Sequence, residues 1–162
     1  MPPPEPVKII GIDPGLQKTG WGIIEVSGSS LKFIACGLIK SNSKNEMAER
    51  LNTLSTELSD VLMTHEPHCA AIEDTFVNQN PTTSLKLGMA RGSLILTLSQ
   101  HQLSVAEYAP NKIKKSIVGQ GHAAKEQMGM MIKVLLPNCG ELAEDEADAL
   151  AIAITHAHYR KA

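Results

Sequence analysis

Four acidic residues lie at positions where carboxylates could do chemistry together. Asp13 follows the first apolar run of the chain, and Glu73 ends a later one. Asp145 and Asp148 are three residues apart at the predicted start of the last helix, so their side chains share one face. Clustered carboxylates stay ionised together only around cations. An all-oxygen ligand set favours Mg²⁺ or Mn²⁺, and two such ions about 4 Å apart would align a water and a leaving oxygen across a phosphodiester.

Three of these acids also have an ordinary structural interpretation. Asp-Pro-Gly at 13–15 is a turn sequence in its own right. Asp145 and Asp148 would stabilise a helix N-terminus by capping it and by interacting with its dipole. Glu73 is different, because an acid at the end of a buried strand is costly to desolvate without a partner. The metal-centre interpretation therefore depends on whether the fold brings the four acids together.

The spacing of apolar residues predicts the elements that would position these acids. Strands are predicted over 8–12, 19–26, 31–39, 69–73 and 104–108, and the first three form an antiparallel meander. Helices are predicted over 46–65, 83–100, 110–118, 124–136 and 145–159. This order predicts an α/β fold with a mixed sheet flanked by helices. The four acids converge if the first and fourth strands are neighbours and the last helix packs over them.

The predicted helix over 83–100 is apolar around much of its circumference, with Gly88 and Gly92 four residues apart. Such a helix is either buried in the centre of the core or packed against a second subunit. In a chain of 162 residues we favour the second interpretation.

The composition excludes several classes of protein. A content of 43% hydrophobic and 20% charged residues excludes a disordered or fibrous chain. No apolar stretch approaches the length of a membrane span, and the first residues lack the pattern of a secretory signal. We expect a flexible leader over 1–6 and one domain over 7–162. Three cysteines without CxxC spacing fit a reducing compartment, so we expect a cytoplasmic protein.

Charge is distributed unevenly along the second half of the chain. Residues 105–135 contain five lysines and two glutamates, whereas residues 136–150 contain five acids and no base. This pattern fits a phosphate-binding patch beside a cation site, or two solvated surfaces. Aromatic residues make up only 3% of the chain, which argues against a surface that stacks several bases.

Five motifs occur in a characteristic order. They are Gly-Ile-Asp-Pro-Gly at 11–15, Ala-Ile-Glu at 71–73, Ser-Leu-Lys-Leu-Gly-Met-Ala-Arg-Gly at 84–92, Glu-Tyr-Ala at 107–109 and Asp-Glu-Ala-Asp-Ala-Leu-Ala-Ile-Ala-Ile-Thr-His at 145–156. This series closely resembles the RuvC-type Holliday-junction resolvases of bacteria. The resemblance implies an RNase H-like fold, with a five-stranded mixed sheet in the order 3-2-1-4-5 flanked by helices. That order puts the first and fourth strands side by side.

The resemblance also implies an activity and a set of site residues. The expected enzyme is a metal-dependent endonuclease that nicks two opposite strands of a four-way DNA junction symmetrically. The expected cofactor is Mg²⁺, with Mn²⁺ able to substitute and two ions in each active site. The residues that match the catalytic and metal-binding tetrad of the family are Asp13, Glu73, Asp145 and Asp148.

Three further residues match the family's DNA contacts. Phe76 corresponds to an aromatic residue that stacks on a base near the crossover, and Lys114 and Lys125 correspond to basic residues near the scissile phosphate. The expected partners are junction DNA, a second copy of the chain bound through the helix at 83–100, and a branch-migration complex of the RuvA and RuvB type.

Two other functions remain open from the sequence alone. One is an RNase H-fold nuclease that acts on another branched or hybrid nucleic acid. The other is a junction-binding module without activity. Four acids placed to converge argue against the second, because a protein that only binds DNA has no need of them.

Overall fold

The computed structural model describes residues 2–74, 80–119 and 125–160. Its strands are β1 (Val7–Asp13), β2 (Lys18–Ser27), β3 (Ser30–Lys40), β4 (Cys69–Glu73) and β5 (Val105–Tyr108). Its helices are α1 (Met47–His65), α2 (Pro81–Gln100), α3 (Pro110–Val118), α4 (Lys125–Leu135) and α5 (Glu144–Tyr159). Each of these elements overlaps one that the apolar spacing predicts. None of the helices within the described ranges is long and apolar enough to cross a membrane.

The strands form a single sheet in the order β3-β2-β1-β4-β5, which confirms the predicted order and the α/β class. β1 pairs antiparallel with β2 and parallel with β4, and β4 pairs parallel with β5. Because β1 and β4 are parallel neighbours, their carboxyl ends lie at the same edge of the sheet. Asp13 and Glu73 are the last residues of these two strands.

Helices cover both faces of the sheet, and the alternation of side chains decides which face each acid joins. Ile9 and Ala71 belong to the apolar cluster formed with α5, whereas Ile12 and Ile72 belong to the cluster formed with α1 and α2. Side chains alternate between faces along a strand. Asp13 follows Ile12 and Glu73 follows Ile72, so both acids lie on the face that α5 covers.

Glycines in β1 and β2 allow α5 to lie directly against the sheet. A Cβ atom on Gly11 would lie 2.1 Å from the backbone oxygen of Ala149, and one on Gly20 would lie 2.1 Å from the backbone oxygen of Asp145. The helix therefore contacts the strand backbones with no side chain between them at these points. This contact places the first turns of α5 beside the end of β1.

The helix boundaries differ slightly from the predicted ones. α2 begins at Pro81, two residues before the predicted start. Proline suits the first turn of a helix because the missing N–H has no partner there. The side chain of Asn80 caps the helix by accepting hydrogen bonds from the backbone N–H groups of Thr82 at 3.0 Å and Thr83 at 3.3 Å.

The exposed side of α2 rules out the alternative of a fully buried central helix. Ala90, Leu94 and Leu98 are buried against the sheet, whereas Leu85 and Leu96 are 62% and 59% exposed. The helix therefore has one apolar face on the core and a second apolar face toward solvent.

Candidate active site

Three of the four predicted acids form a tight cluster at the carboxyl edge of β1. Asp13, Asp145 and Asp148 each have one carboxylate oxygen that lies within 4.8 Å of the corresponding oxygens of the other two. Asp13 comes from the end of β1, and the other two come from the first turns of α5. This cluster could hold a divalent cation with carboxylate ligands from two elements.

Glu73 lies beside this cluster, at the end of the neighbouring strand. The charge of Glu73 is one of the causes that raise the pKa of Asp13. Glu73 also lines a cavity of about 220 Å³ together with Asp148. The fold thus brings all four predicted acids to one edge of the sheet, three of them as a compact group and Glu73 next to it.

The electrostatics of the cluster favour a bound cation. Burial, followed by the charges of Asp148, Glu73 and Asp145, raises the pKa of Asp13 from its usual 3.8 to about 9. Burial also raises the pKa of Glu73 and of Asp148, with nearby carboxylates acting in the same direction. Several carboxylates held together in a partly buried place repel one another unless protons or cations neutralise them. The residues present therefore fit a divalent metal centre.

Both predicted DNA-binding lysines face the same cavity. Lys114 of α3 and Lys125 of α4 line it together with Glu73 and Asp148. Lys114 also lowers the pKa of Glu73, against the larger effect of burial. Positive charge therefore lies directly beside the acids, where a phosphate group would approach them. The third predicted contact, Phe76, lies outside the described residues.

Lys125 forms an ion pair with Glu144, the first residue of α5. Hydrogen bonding to Glu144 raises the pKa of Lys125, and the same contact lowers the pKa of Glu144. Both side chains are largely exposed. The lysine head group is thus engaged by an acid of α5 that is not among the residues lining this cavity.

Two cations near the acids did not emerge from the sequence as candidates. Lys18 Nζ lies 3.9 Å from Asp145 Oδ2. Arg91 of α2 donates from Nε to the backbone oxygen of Glu73 at 3.1 Å. Arg91 lies 18 residues after Glu73, and nothing in this spacing indicates a contact between them. The one feature of the sequence that pointed to Arg91 was its place in the motif at 84–92.

A sheet of this order with acids at the ends of β1 and β4 and on the last helix defines an RNase H-like nuclease. The family model described as crossover junction endodeoxyribonuclease RuvC matches residues 9–156. The chain belongs to the RuvC family of crossover junction endodeoxyribonucleases. The resemblance drawn from the five motifs is thereby confirmed.

Relatives in the family match nearly the whole chain. The crossover junction endodeoxyribonuclease RuvC of Azorhizobium caulinodans is 54% identical over 154 residues, which cover 95% of this chain and 91% of the relative. That of Brucella anthropi is 54% identical over 157 residues, covering 97% and 91%.

Solved structures agree with this assignment. The structure described as T. thermophilus RuvC in complex with Holliday junction substrate superposes with a TM-score of 0.88 at 30% identity, covering 94% of each chain. The yeast mitochondrial Holliday junction resolvase Ydc2 superposes with a TM-score of 0.65 at 13% identity, covering 92% of this chain and 78% of the other. The second match concerns the fold alone.

Proposed function

We propose that this protein resolves four-way DNA junctions by nicking two opposite strands symmetrically in a reaction that depends on a divalent metal. The observation that carries the proposal is the group of three carboxylates within 4.8 Å of one another, beside a cavity that also contains Lys114 and Lys125. Carboxylates that can bind a cation therefore lie beside lysines that can bind a phosphate, an arrangement suited to hydrolysis of a phosphodiester. Membership of a junction endonuclease family supplies the substrate class.

In this proposal the four acids hold the metal, which is Mg²⁺, with Mn²⁺ able to replace it and two ions in each site. Bound divalent ions supply two effects in such sites, activation of water for attack and stabilisation of charge on the leaving oxygen. Asp13 and Asp148 contribute ligands from two different elements, so the site forms only when α5 is packed on the sheet. Glu73 completes the acidic edge from β4.

Lys114 and Lys125 bind the phosphates next to the scissile bond in this proposal. Both line the cavity that contains Glu73 and Asp148, which supports the assignment. Contacts of this kind release counterions and make binding depend on salt. For Phe76 we propose stacking on a base near the crossover, on the strength of its match to the family motif.

The substrate's symmetry requires two active sites, and we propose a C2 homodimer through α2. Its support is a stripe of exposed apolar side chains and glycines on the side of α2 that faces away from the sheet: Leu85, Gly88, Met89, Gly92 and Leu96. We further propose a branch-migration complex of the RuvA and RuvB type as a partner, and the cytoplasm as the location. The three cysteines are free, which agrees with a reducing compartment.

The decisive experiment incubates the purified protein with a synthetic immobile four-way junction, with and without Mg²⁺. Linear duplex and an RNA–DNA hybrid serve as comparison substrates. Paired nicks in the junction alone, dependent on the metal, are the expected result. Cleavage of the hybrid in preference to the junction would favour an RNase H-fold nuclease with another substrate.

The variant Asp145→Asn tests whether the acids act in cleavage. It removes one charge from the three-carboxylate group while keeping the shape of the side chain. We expect loss of metal-dependent nicking, by at least about a hundredfold, with junction binding retained in a gel-shift measurement without metal. Nicking at the normal rate would show that Asp145 has been misassigned, whereas a wild-type protein that binds junctions without nicking them would be a binding module.

A further inference from the structure

Arg91 of α2 holds the end of the strand that carries Glu73. Its Nε donates to the backbone carbonyl oxygen of Glu73 at 3.1 Å. Its Nη2 forms an ion pair with the carboxylate of Glu107 and lies 3.8 Å from Oδ1 of Asp74. The Arg91 side chain is only 16% exposed. One guanidinium group therefore contacts the last residue of β4, the residue after it, and β5.

These contacts come from the face of the sheet opposite the acidic cluster. Glu107 is in register with Ile72, and Ile72 packs in the apolar cluster formed with α1 and α2. The Glu73 side chain lies on the other face, toward α5. Arg91 thus acts on the backbone of Glu73 and on an acid of the next strand, without touching the carboxylate group of Glu73.

The point of contact is where β4 stops. The backbone N–H of Asp74, one residue past the end of β4, donates to the carbonyl oxygen of Tyr108 at the end of β5, at 2.7 Å. At this end of the strand, the carbonyl oxygen of Glu73 accepts its hydrogen bond from Arg91. A guanidinium presents several donors in a rigid plane, so it can hold a carbonyl and carboxylates in one fixed arrangement. A lysine has a single flexible ammonium and cannot reproduce it.

We propose that Arg91 is a positioning residue for the cleavage reaction, which sets the backbone of Glu73 and thereby aims its carboxylate at the metal site. This inference rests on the proposed role of Glu73 as a metal-holding acid. The direction of a short acidic side chain at a strand end depends on the backbone that carries it. Removing a group that orients a metal ligand without itself contacting the metal typically weakens metal binding by about 10- to 100-fold. The carboxylates of Glu107 and Asp74 lie beside the guanidinium group of Arg91 and stabilise it in this position.

The test measures metal binding by the protein alone and compares two variants with a matched control. Arg91→Gln removes both the positive charge and the planar set of N–H donors. Arg91→Lys keeps the positive charge but removes the planar set of donors. Lys86→Gln removes an exposed cation from the same helix and is the control. Binding of Mn²⁺ is followed by electron paramagnetic resonance without DNA. The Mg²⁺ concentration needed for half-maximal junction cleavage is measured in parallel.

We expect both Arg91 variants to bind Mn²⁺ about 10- to 100-fold more weakly than the wild type, with Lys86→Gln unchanged. The Mg²⁺ requirement for cleavage should rise by a similar factor, while junction binding in EDTA stays the same. Normal Mn²⁺ binding by Arg91→Lys would overturn the proposal, because charge alone would then suffice. An equal loss in Lys86→Gln would overturn it as well.

A second variant covers the case in which the Arg91 substitutions prevent folding. Glu107→Gln keeps Arg91 and weakens only one of its anchors. We expect weaker Mn²⁺ binding in this variant with an unchanged unfolding temperature, and unchanged Mn²⁺ binding would contradict the role of Arg91. Mn²⁺ binding is measured without DNA, so it does not depend on whether the protein cleaves junctions. A wild-type protein that fails to cut junctions would therefore contradict the proposed function without affecting the test of Arg91.

Discussion

The acids around the active site fall into two groups according to what neutralises them. Asp13 and Asp148 face other carboxylates, and burial raises the pKa of each. Asp74 and Glu144 instead face cations, Arg91 and Lys125 respectively. Asp13 and Asp148 belong to a cluster of acids that has only Lys18 as an ion-pair partner among the described residues, so a divalent ion can balance its excess negative charge, whereas Asp74 and Glu144 each have a cation beside them. This difference separates acids suited to bind metal from acids that hold basic side chains in place.

Glu144→Gln tests whether the ion pair with Glu144 restrains Lys125, the proposed phosphate-binding lysine. Without the acid, the ammonium group of Lys125 is free to meet a phosphate. We expect roughly two- to fivefold tighter binding to a four-way junction in EDTA at low salt, because an exposed ion pair is weak and its competition with DNA is modest. The difference should shrink as salt rises, since salt screens exposed charges.

The control for this prediction is Glu141→Gln. Glu141 forms a comparable exposed pair with Lys133, at 3.5 Å, and neither residue lines the cavity of the acids. Fluorescence anisotropy with a labelled junction gives both affinities. An equal gain in the two variants would mean that the effect comes from net charge and not from release of Lys125.

At the scale of elements, the close contact between α5 and the sheet decides where two of the acids lie. Gly11 and Gly20 leave no room for a side chain, because a Cβ on either would lie 2.1 Å from a backbone oxygen of α5. Asp145 and Asp148 belong to the part of the helix that rests on these glycines. The geometry of the acidic cluster therefore depends on two glycines of β1 and β2 that have no side chain to take part in the chemistry.

Gly20→Ala should move α5 away from β2. The added methyl group would meet the backbone oxygen of Asp145, and neither backbone can yield without shifting. We expect a loss of about 1–3 kcal/mol in the free energy of unfolding. Metal binding should weaken as well, because Asp145 moves with the helix. Urea denaturation and Mn²⁺ titration measure the two effects.

Gly129→Ala is the matched control for this substitution. Gly129 lies inside α4, and a Cβ there would meet nothing within 4 Å. Alanine in a helix interior is more favourable than glycine by roughly 0.5–1 kcal/mol. We therefore expect equal or greater stability and unchanged metal binding. A Gly20→Ala variant as stable as Gly129→Ala would show that the contact with α5 is looser than the structure indicates.

Leu96→Glu tests the proposed dimer interface on α2. Leu96 is 59% exposed in the single chain and belongs to the apolar stripe on the outer side of the helix. A charge at that point would be buried without a partner in a dimer, so we expect dissociation. Sedimentation velocity should show a dimer for the wild type and a monomer for the variant.

Met63→Glu provides the comparison for the dimer test. Met63 is 61% exposed on α1, which packs beside α2 on the same face of the sheet, and it is not part of the apolar stripe on α2. This variant should remain dimeric. A wild-type protein that sediments as a monomer would contradict the interface, and so would a Leu96→Glu variant that still forms dimers.

At the scale of the whole molecule, local charge matters more than net charge. The chain carries a formal charge of only −2. We therefore expect attraction to DNA to come from the basic residues around the cavity, and we expect the acidic cluster beside them to repel phosphate until a cation is bound. The same cluster makes the metal-free fold sensitive to pH.

Without metal, the protein should lose stability as the pH rises from about 4 to about 9. An aspartate has a usual pKa of 3.8, which applies to Asp13 in the unfolded chain, whereas the pKa of Asp13 in the folded protein is about 9. As the pH rises, the unfolded chain therefore loses this proton at a lower pH than the folded protein does. Stability then falls with pH throughout that interval, because the folded state binds more protons than the unfolded state. Thermal unfolding in EDTA at a series of pH values should show a falling unfolding temperature.

Two comparisons make this prediction specific. Mg²⁺ should restore the unfolding temperature most strongly at the alkaline end, because it binds the folded state after the proton has left. Asp13→Asn should flatten the dependence on pH, since the group responsible for most of it is gone. A wild-type unfolding temperature that rises between pH 5 and pH 8 in EDTA would contradict the assigned direction.

Much of this architecture follows from local patterns in the chain. β4 was predicted over the residues that form it, because Cys-Ala-Ala-Ile-Glu is a short apolar run bounded by proline before it and polar residues after it. α3 was likewise predicted at its observed bounds between Pro110 and Gly119. The four acids could be picked out because strand ends and helix starts are visible in the spacing of apolar residues. That Asp13 and Glu73 would share an edge needed the strand order, which came from the family resemblance.

The contacts between side chains far apart in the chain were decided by the tertiary structure alone. Arg91 meets Glu73, Asp74 and Glu107 only because α2 packs across the ends of β4 and β5. Lys125 meets Glu144 only because α4 and α5 lie side by side. Apolar periodicity reports which face of an element is buried, but not which polar groups meet across a packed interface. Those pairings depend on the relative placement of whole elements, which no local pattern in the sequence contains.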